Sequence, residues 1–360
     1  MDSNELLFLN ALNSIPGVGV ATLRLLRKHC GSFQNAWRGN LTDLSSGPSK
    51  RPIEQILLCR RKIDPEREFE KLEKNNIWII EEHDPLFPPQ LREIPHAPII
   101  LYGKGTQPDC NNIMIGIVGT RRPTPYGKEA TRHITKGLAG TGITIVSGLA
   151  VGIDTIAHES ALEQKAITVA VIGSGLDERS LFPRQNVLLS RRIIETGGAV
   201  ISEYAPETPP MKEHFPLRNR IISGLSRGVC VVEARERSGA LITARMALEQ
   251  NRDVFAVPGS VFSPTSAGPN LLIQEGAKLV ITAQDICEEW GIEKAHIFSR
   301  NVEKLDTHTQ IMVKLLEHEH TTDELKEKTG FDTPFLISTL SLLELKGIIR
   351  NLGNDTYQRI

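Results

Sequence analysis

A strand and helix alternation runs from near residue 113 to about residue 281, and it constrains the fold more than any other feature of the chain. Short, β-branched, almost wholly apolar runs recur at 113–118, 144–147, 168–172, 199–203, 228–233, 253–257 and 278–281. Amphipathic segments of helical length lie between them, at 125–140, 153–164, 184–196, 216–225, 238–250 and 268–276. Strands with no polar alternation are buried on both faces, and parallel strands need crossovers of this length. The pattern predicts an α/β domain, a doubly wound parallel sheet covered by helices on each side.

The flanks read differently. Residues 1–75 have helical apolar spacing, with Leu6, Leu7, Leu9 and Leu12, then Leu23, Leu25 and Leu26, then Ile53, Ile56, Leu57 and Leu58. The run Ser45-Ser46-Gly47-Pro48 marks a loop among them, and the proline-rich stretch 84–98 leads into a short strand at 99–102. After a polar linker come helices expected at 308–317, 321–329 (opened by Thr321-Thr322-Asp323-Glu324) and 332–346. Two short strands follow, 348–351 and 356–360, around Gly353-Asn354-Asp355. Three helices and a β-hairpin make a winged-helix pattern. The predicted division is a helical helix-hairpin-helix (SAM-like) domain at 1–75, the α/β domain at 76–291, a linker at 292–306 and a winged helix at 307–360.

Composition limits the chemistry. With 40% apolar and 24% charged residues the chain is a folded, globular one, and its net charge of −1 means that any basic surface must be local. Cys30, Cys59, Cys110, Cys230 and Cys287 are far apart with no C-x-x-C pair, which favours reduced thiols over a disulfide framework or a metal site. No run approaches the about eighteen apolar residues of a membrane span. Glu5 interrupts the first apolar residues, unlike a signal peptide. A cytoplasmic protein with no metal and no cofactor is expected.

In open parallel sheets, ligands bind outside the carboxyl ends of the strands. Four such ends carry unusual residues. The first is Gly119-Thr120-Arg121-Arg122, followed by a helix; between 121 and 136 there are five Lys/Arg against the single acid Glu129. The third strand ends in Gly173-Ser174-Gly175, and the fourth leads to Phe215-Pro216-Leu217-Arg218-Asn219-Arg220. The fifth leads to Ser238-Gly239 at another helix start. Helix N-termini and arginines hold phosphate, and an aromatic among them can stack a base. Each part also has a plainer reading: the glycines permit turns, Phe215 belongs to the core, Arg121 caps a helix. Convergence of the four loops favours a site for single-stranded nucleic acid. His158 has no recognisable nucleophile partner and reads as a hydrogen-bonded structural histidine, so no catalytic residue is assigned.

A second phosphate-gripping candidate is Gly17-Val18-Gly19, after Pro16 and ahead of Arg24, Arg27 and Lys28. It resembles a DNA-binding hairpin, and it equally suits a helix-helix turn with no ligand. Two enzyme readings fit poorly. A dinucleotide site needs G-x-G-x-x-G after the first strand, where Gly116 and Gly119 are followed by Thr120-Arg121-Arg122. A nucleotide N-glycosidase, the alternative function, would carry a glycine-dense loop with a glutamate where Ser238-Gly239-Ala240-Leu241-Ile242-Thr243 stands. The last module holds nine Asp/Glu and six Lys/Arg from Leu305 on, and its third helix has no Arg, Asn or Gln for base edges. It is expected to contact protein and not duplex DNA.

The segments IGIVGTRRPTPYG, IVSGLAVGIDTIAH, VIGSGLD, ISEYAPETPP, FPLRNRIISGLS, VVEARERSGALITA and VFAVPG, in this order, resemble the DNA-processing protein A (DprA/Smf) family. The likeness runs across roughly 80–290 and on into the tail. It implies an extended Rossmann-like domain that binds single-stranded DNA in its pocket and forms a homodimer. It also implies loading of the recombinase RecA onto incoming strands during natural transformation, the state of competence. By motif position it makes Arg121, Gly173, Ser174, Phe215, Arg218, Asn219, Ser238 and Gly239 the DNA contacts.

Overall fold

The computed structural model describes residues 3–44, 50–292, 307–316, 318–345, 349–353 and 355–359. The chain divides into two units, Met1–Cys287 and Glu288–Ile360. Among the described residues the first unit holds a nine-stranded sheet. Its strands are β1 (Trp78–Glu81), β2 (Ile100–Gly105), β3 (Met114–Val118), β4 (Thr144–Ser147), β5 (Thr168–Val171), β6 (Ala199–Ser202), β7 (Gly228–Val231), β8 (Asp253–Ala256) and β9 (Lys278–Leu279). They lie in the order β1-β2-β6-β5-β4-β3-β7-β8-β9. From β6 to β9 every pairing is parallel, with Ile115 opposite Ile145 and Ile117 opposite Cys230. All residues of β3 to β7 are buried, as strands covered on both faces must be. The large parallel sheet and the helices at Pro125–Ala139, Ile153–Glu163, Val187–Glu195, His214–Leu225, Gly239–Glu249 and Ala267–Gln274 follow the expected alternation.

The chain steps outward from β3 to β6 on one side, then returns to lay β7 to β9 on the other. In open α/β sheets such a reversal, here between β3 and β7, marks the carboxyl edge where a ligand is expected.

Within this sheet, two elements depart from expectation. β1 pairs antiparallel with β2, and β2 continues antiparallel to β6 through Gly103-Lys104-Gly105, beyond the expected 99–102. Gly103 is what lets Trp78 lie flat on it: a Cβ there would fall 2.0 Å from the indole Cζ2. The indole Nε1 donates to the Gly105 carbonyl at 2.9 Å.

The amino-terminal helices are Ser3–Asn13, Val20–Cys30, Phe33–Arg38, Lys50–Cys59 and Pro65–Lys74. Leu9, Leu12, Leu23, Leu26, Ile53 and Ile56 share one core with Ile100, Tyr102, Ala170 and Val200 of the sheet. Burying such a leucine or isoleucine contributes about 1.5–3 kcal/mol. The buried Tyr102 hydroxyl donates to Asn10 Oδ1 at 2.9 Å, so the contact is polar as well as apolar. Glu5 is structural: its carboxylate accepts from the Phe33 and Gln34 amides at the start of a short helix.

The second unit contains helices Thr307–Leu315, Thr322–Thr329 and Thr333–Leu345 with strands β10 (His320–Thr321), β11 (Ile349–Gly353) and β12 (Thr356–Arg359) in the order β10-β12-β11. Met312, Val313, Leu316, Leu325, Leu336, Leu340, Leu343 and Ile349 form its own core. The Thr321 hydroxyl and Glu324 make a reciprocal capping box, worth about 1 kcal/mol. β10 was outside the sequence expectation. The expected linker 292–306, save Ile292, the loop Ser45–Pro48, Lys346 and Asn354 lie outside the described residues.

Candidate nucleic-acid interface

The loop after β3 is built by close contact. Gly119 has no room for a side chain, since a Cβ would lie 2.5 Å from Ile153 Cγ1. The Thr120 amide donates to the Glu233 carbonyl at 2.7 Å. Thr124 caps the helix Pro125–Ala139, its hydroxyl accepting from the Gly127 amide. That hydroxyl also donates to Glu233 Oε1 at 2.6 Å, the Thr124 amide to Oε2 at 2.9 Å, and Thr265 Oγ1 to Oε1 at 2.9 Å. Glu233 is fully buried, so a satisfied carboxylate ties the loops after β3, β7 and β8 together. Arg121 and Arg122 are left exposed.

Beside them, Arg121, Gly148, Ala150, Val151, Phe182, Pro183, Phe215 and Arg218 line a pocket. The Arg121 guanidinium stands 5.7 Å from the centre of the Phe215 ring, and Phe182 lies 5.6 Å from it on a tilted plane. Phe215 is half-buried and Phe182 is 41% exposed, so both rings are open to a ligand on one side. Phe182 and Pro183 were missed by sequence reasoning.

Arg218 is buried under this pocket and donates from Nη1 to the carbonyls of Gly148 (2.7 Å) and Val171. Asp154, also buried, accepts from the amides of Gly148 (3.1 Å) and Ala150 (3.3 Å). Burial pushes the Asp154 carboxyl up to about 6, against the pull of Arg218, the two amides and Arg121. Burial likewise pushes Arg218 down to about 10, so it stays a cation at neutral pH. Below pH about 6 the folded chain takes up a proton that an unfolded aspartate, at about 3.9, does not. The cost of holding a buried carboxylate is present above that pH and is relieved as pH falls through it. Protonation also leaves the pocket one charge more positive. Affinity for an anionic strand is expected to rise from pH 7 to pH 5, and Asp154→Asn to bind tightly and evenly across that range. A variant that kept the full pH dependence would move its source elsewhere.

The other expected contacts fall into two groups. Asn219 donates to the Gly239 carbonyl at 3.4 Å and so bridges towards the loop after β7. Ser238 caps the helix Gly239–Glu249, and Gly239 is exposed with open space about it, leaving a helix N-terminus accessible to phosphate. Gly173, Ser174 and Gly175 are buried instead. A Cβ on Gly173 would sit 3.3 Å from His214 and Phe215, and one on Gly175 2.8 Å from the Glu207 amide. This turn is the floor beneath Phe215 and not an open row of amides. Arg220 turns away: it meets Glu203 at 2.6 Å, with both side chains about nine-tenths buried, and its Nε donates to the His96 carbonyl. His158 is buried with Nδ1 2.7 Å from the Thr168 hydroxyl, which itself donates to the Ile145 carbonyl. Burial pushes its imidazole down to about 3, as befits a neutral structural histidine.

In the amino-terminal turn Gly17 has φ +83° and Gly17 and Gly19 are exposed, while Val18 is buried. The helix Val20–Cys30 that follows has no side-chain cap. Arg24 and Arg27, however, are engaged by Glu82 and Glu81 at 2.8–3.0 Å.

Comparison with known proteins extends the picture. The family model for DNA recombination-mediator protein A matches residues 78–291. DNA processing protein DprA of Bacillus subtilis is 48% identical over 204 residues, covering 56% of this chain and 68% of that protein. The X-ray structure of DNA processing protein A from Streptococcus pneumoniae superposes with a TM-score of 0.67 at 35% identity, over 79% of this chain and 97% of that one. The structure of DNA processing protein A from Helicobacter pylori, studied for its single-stranded DNA binding mode, gives 0.52 at 30% identity, over 59% and 95%.

Proposed function

The chain belongs to the DNA recombination-mediator protein A family, whose members are recombination mediators and not enzymes, and from that premise we propose that it binds single-stranded DNA at the carboxyl edge of its sheet. The observation that carries this reading is one juxtaposition. An exposed cation in no ion pair among the described residues (Arg121), two half-open rings (Phe215 and Phe182) and an accessible helix N-terminus at Gly239 stand on the loops that follow β3, β6, β5 and β7 at the carboxyl edge. Stacking needs an unpaired base, and phosphate contacts are indifferent to sequence. Gly119, Thr120, Arg121, Arg122, Phe215, Asn219, Ser238 and Gly239 form the proposed surface, with Arg218, Gly173, Ser174 and Gly175 beneath it and Arg220 at its back.

Further parts of the proposal rest on the resemblance: loading of RecA in natural transformation, a homodimer through the Rossmann-like domain and a cytoplasmic location. Stimulation of RecA filament growth on coated strands, and sedimentation, test the first two. Among the described residues no helix is long and apolar enough to cross a membrane. The amino-terminal helices are proposed as a helix-hairpin-helix domain, and the second unit as a winged helix that contacts protein. The latter is supported by the exposed apolar side chains Ile337, Leu342 and Phe335 on its third helix.

Band-shift titrations at two salt concentrations test the reading. The full chain is expected to prefer single strands over duplex of the same sequence and to weaken with salt. The 300–360 segment alone should leave random duplex unshifted at micromolar concentration. Equal affinity for duplex would defeat the pocket reading, and a duplex shift by the segment would defeat the protein-contact reading.

A further inference from the structure

The pocket leaves the loop after β8 unexplained. Residues 257–266 turn at the carboxyl end of that strand and hold Val261 82% and Phe262 92% exposed, more than any other large apolar side chain among the described residues. The loop is fastened along its length. The Tyr126 hydroxyl donates to the Pro258 carbonyl at 2.5 Å. Gly259 and Asn270 exchange two hydrogen bonds, at 3.2 and 3.0 Å, and the Ser263 amide donates to the Ser260 carbonyl at 3.0 Å. Thr265 is bound to Glu233, the same carboxylate that holds Thr124. A fastened loop that shows an aromatic ring to water forgoes the burial such a ring would otherwise gain.

Its surroundings say what would cover it. The loops after β3 and β7 carry Arg121, Arg122, Arg235 and Arg237, all exposed and none in an ion pair among the described residues. Glu236 is the one exposed acid in 119–128 and 233–240, and 257–266 has no charge at all. An exposed ring on the same sheet edge as these arginines suits a base on the ring and phosphate on the guanidiniums. β8 lies two strands from β3, about 10 Å along the sheet edge. Through Thr265 and Thr124, Glu233 fastens this loop to the loop after β3 that carries Arg121.

We propose that Phe262 is a second base-stacking station, taking a strand that leaves the Phe215 pocket across the β3 and β7 reversal to the loop after β8. The proposal rests on the reading of the pocket as a single-strand site. It assigns the gain in affinity with strand length to a residue remote from that pocket.

Anisotropy titrations of the full chain with oligodeoxythymidylates spanning about 4–16 nucleotides, the range of single-strand sites, test it. Phe262→Ala should equal wild type on the shortest strands and fall about fivefold or more behind on the longest. Phe262→Trp should gain an emission that long oligonucleotides quench and short ones do not. Because the side chain is 92% exposed, neither change threatens the fold. Phe262→Ala tracking wild type at every length, with the new tryptophan unmoved, overturns the proposal. So does an altered oligomeric state with unchanged length dependence, which assigns the ring to a second copy of the chain. Phe215→Ala separates the two readings: it should weaken every length, and if it weakens none, the pocket reading itself has failed.

Discussion

Replacing Arg220 with methionine is expected to lower stability by about 3–5 kcal/mol while leaving the affinity of the folded protein for single strands unchanged. Arg220 and Glu203 meet through two short hydrogen bonds, 2.9 and 2.6 Å, with side chains only 8% and 10% exposed. Removing the guanidinium strands a carboxylate away from water and orphans the His96 carbonyl, which is the costly half of a buried pair. The double replacement Arg220→Met with Glu203→Met should recover most of the loss, since both charges then leave together. Denaturant midpoints and strand affinity measured on the same preparations check this. A variant of normal stability that binds weakly would make Arg220 a DNA contact after all.

Phe215→Ala should cost about 1–3 kcal/mol of strand binding, the value of one base stacked on an aromatic ring. Phe215 offers a half-exposed face, backed by Phe182 at 5.6 Å and by the guanidinium of Arg121. It lies on the first turn of the helix His214–Leu225, next to His214, whose ring stacks on Tyr204 at 3.9 Å. That stack stays in place when the phenyl group goes, so the loss of fold stability should be about 1 kcal/mol, well short of a core phenylalanine's 3–5. Early melting with unchanged affinity of the folded fraction would instead make Phe215 a core residue.

The contrast between Arg218 and Arg220 shows where the sequence is legible and where it is not. The strands from 113 on can be read because their apolar runs are short, β-branched and spaced by helix-length segments, and the sheet follows them closely. Phe215, Arg218, Asn219 and Arg220 stand together as a string, but two residues on a helix are about 200° apart. Arg220 therefore faces away from Arg218, towards Glu203, a distinction that helical period alone offers. Asp154 is not singled out by its sequence position, one residue inside a helix; burial, against the pull of Arg218, is what raises its carboxyl to about 6. Gly173-Ser174-Gly175 reads as an open turn because its cover, residues 205–215, comes from 30 and more residues away. Phe182 and Pro183 lie in no periodic element, and β1 is only four residues long. Such contacts depend on distant chain, which no local pattern records.

The salt dependence of binding by Arg121→Ala tests the central claim most directly. Arg121 is exposed, makes no ion pair among the described residues and stands over Phe215, so in the proposed site its loss removes one phosphate contact along with its contact to the ring. A plot of log affinity against log salt should flatten by about 0.7–1, with weaker binding at low salt for every strand sequence tried. Parallel plots, with the variant binding as tightly as wild type in low salt, would contradict the placement of single-stranded DNA at the carboxyl edge of this sheet.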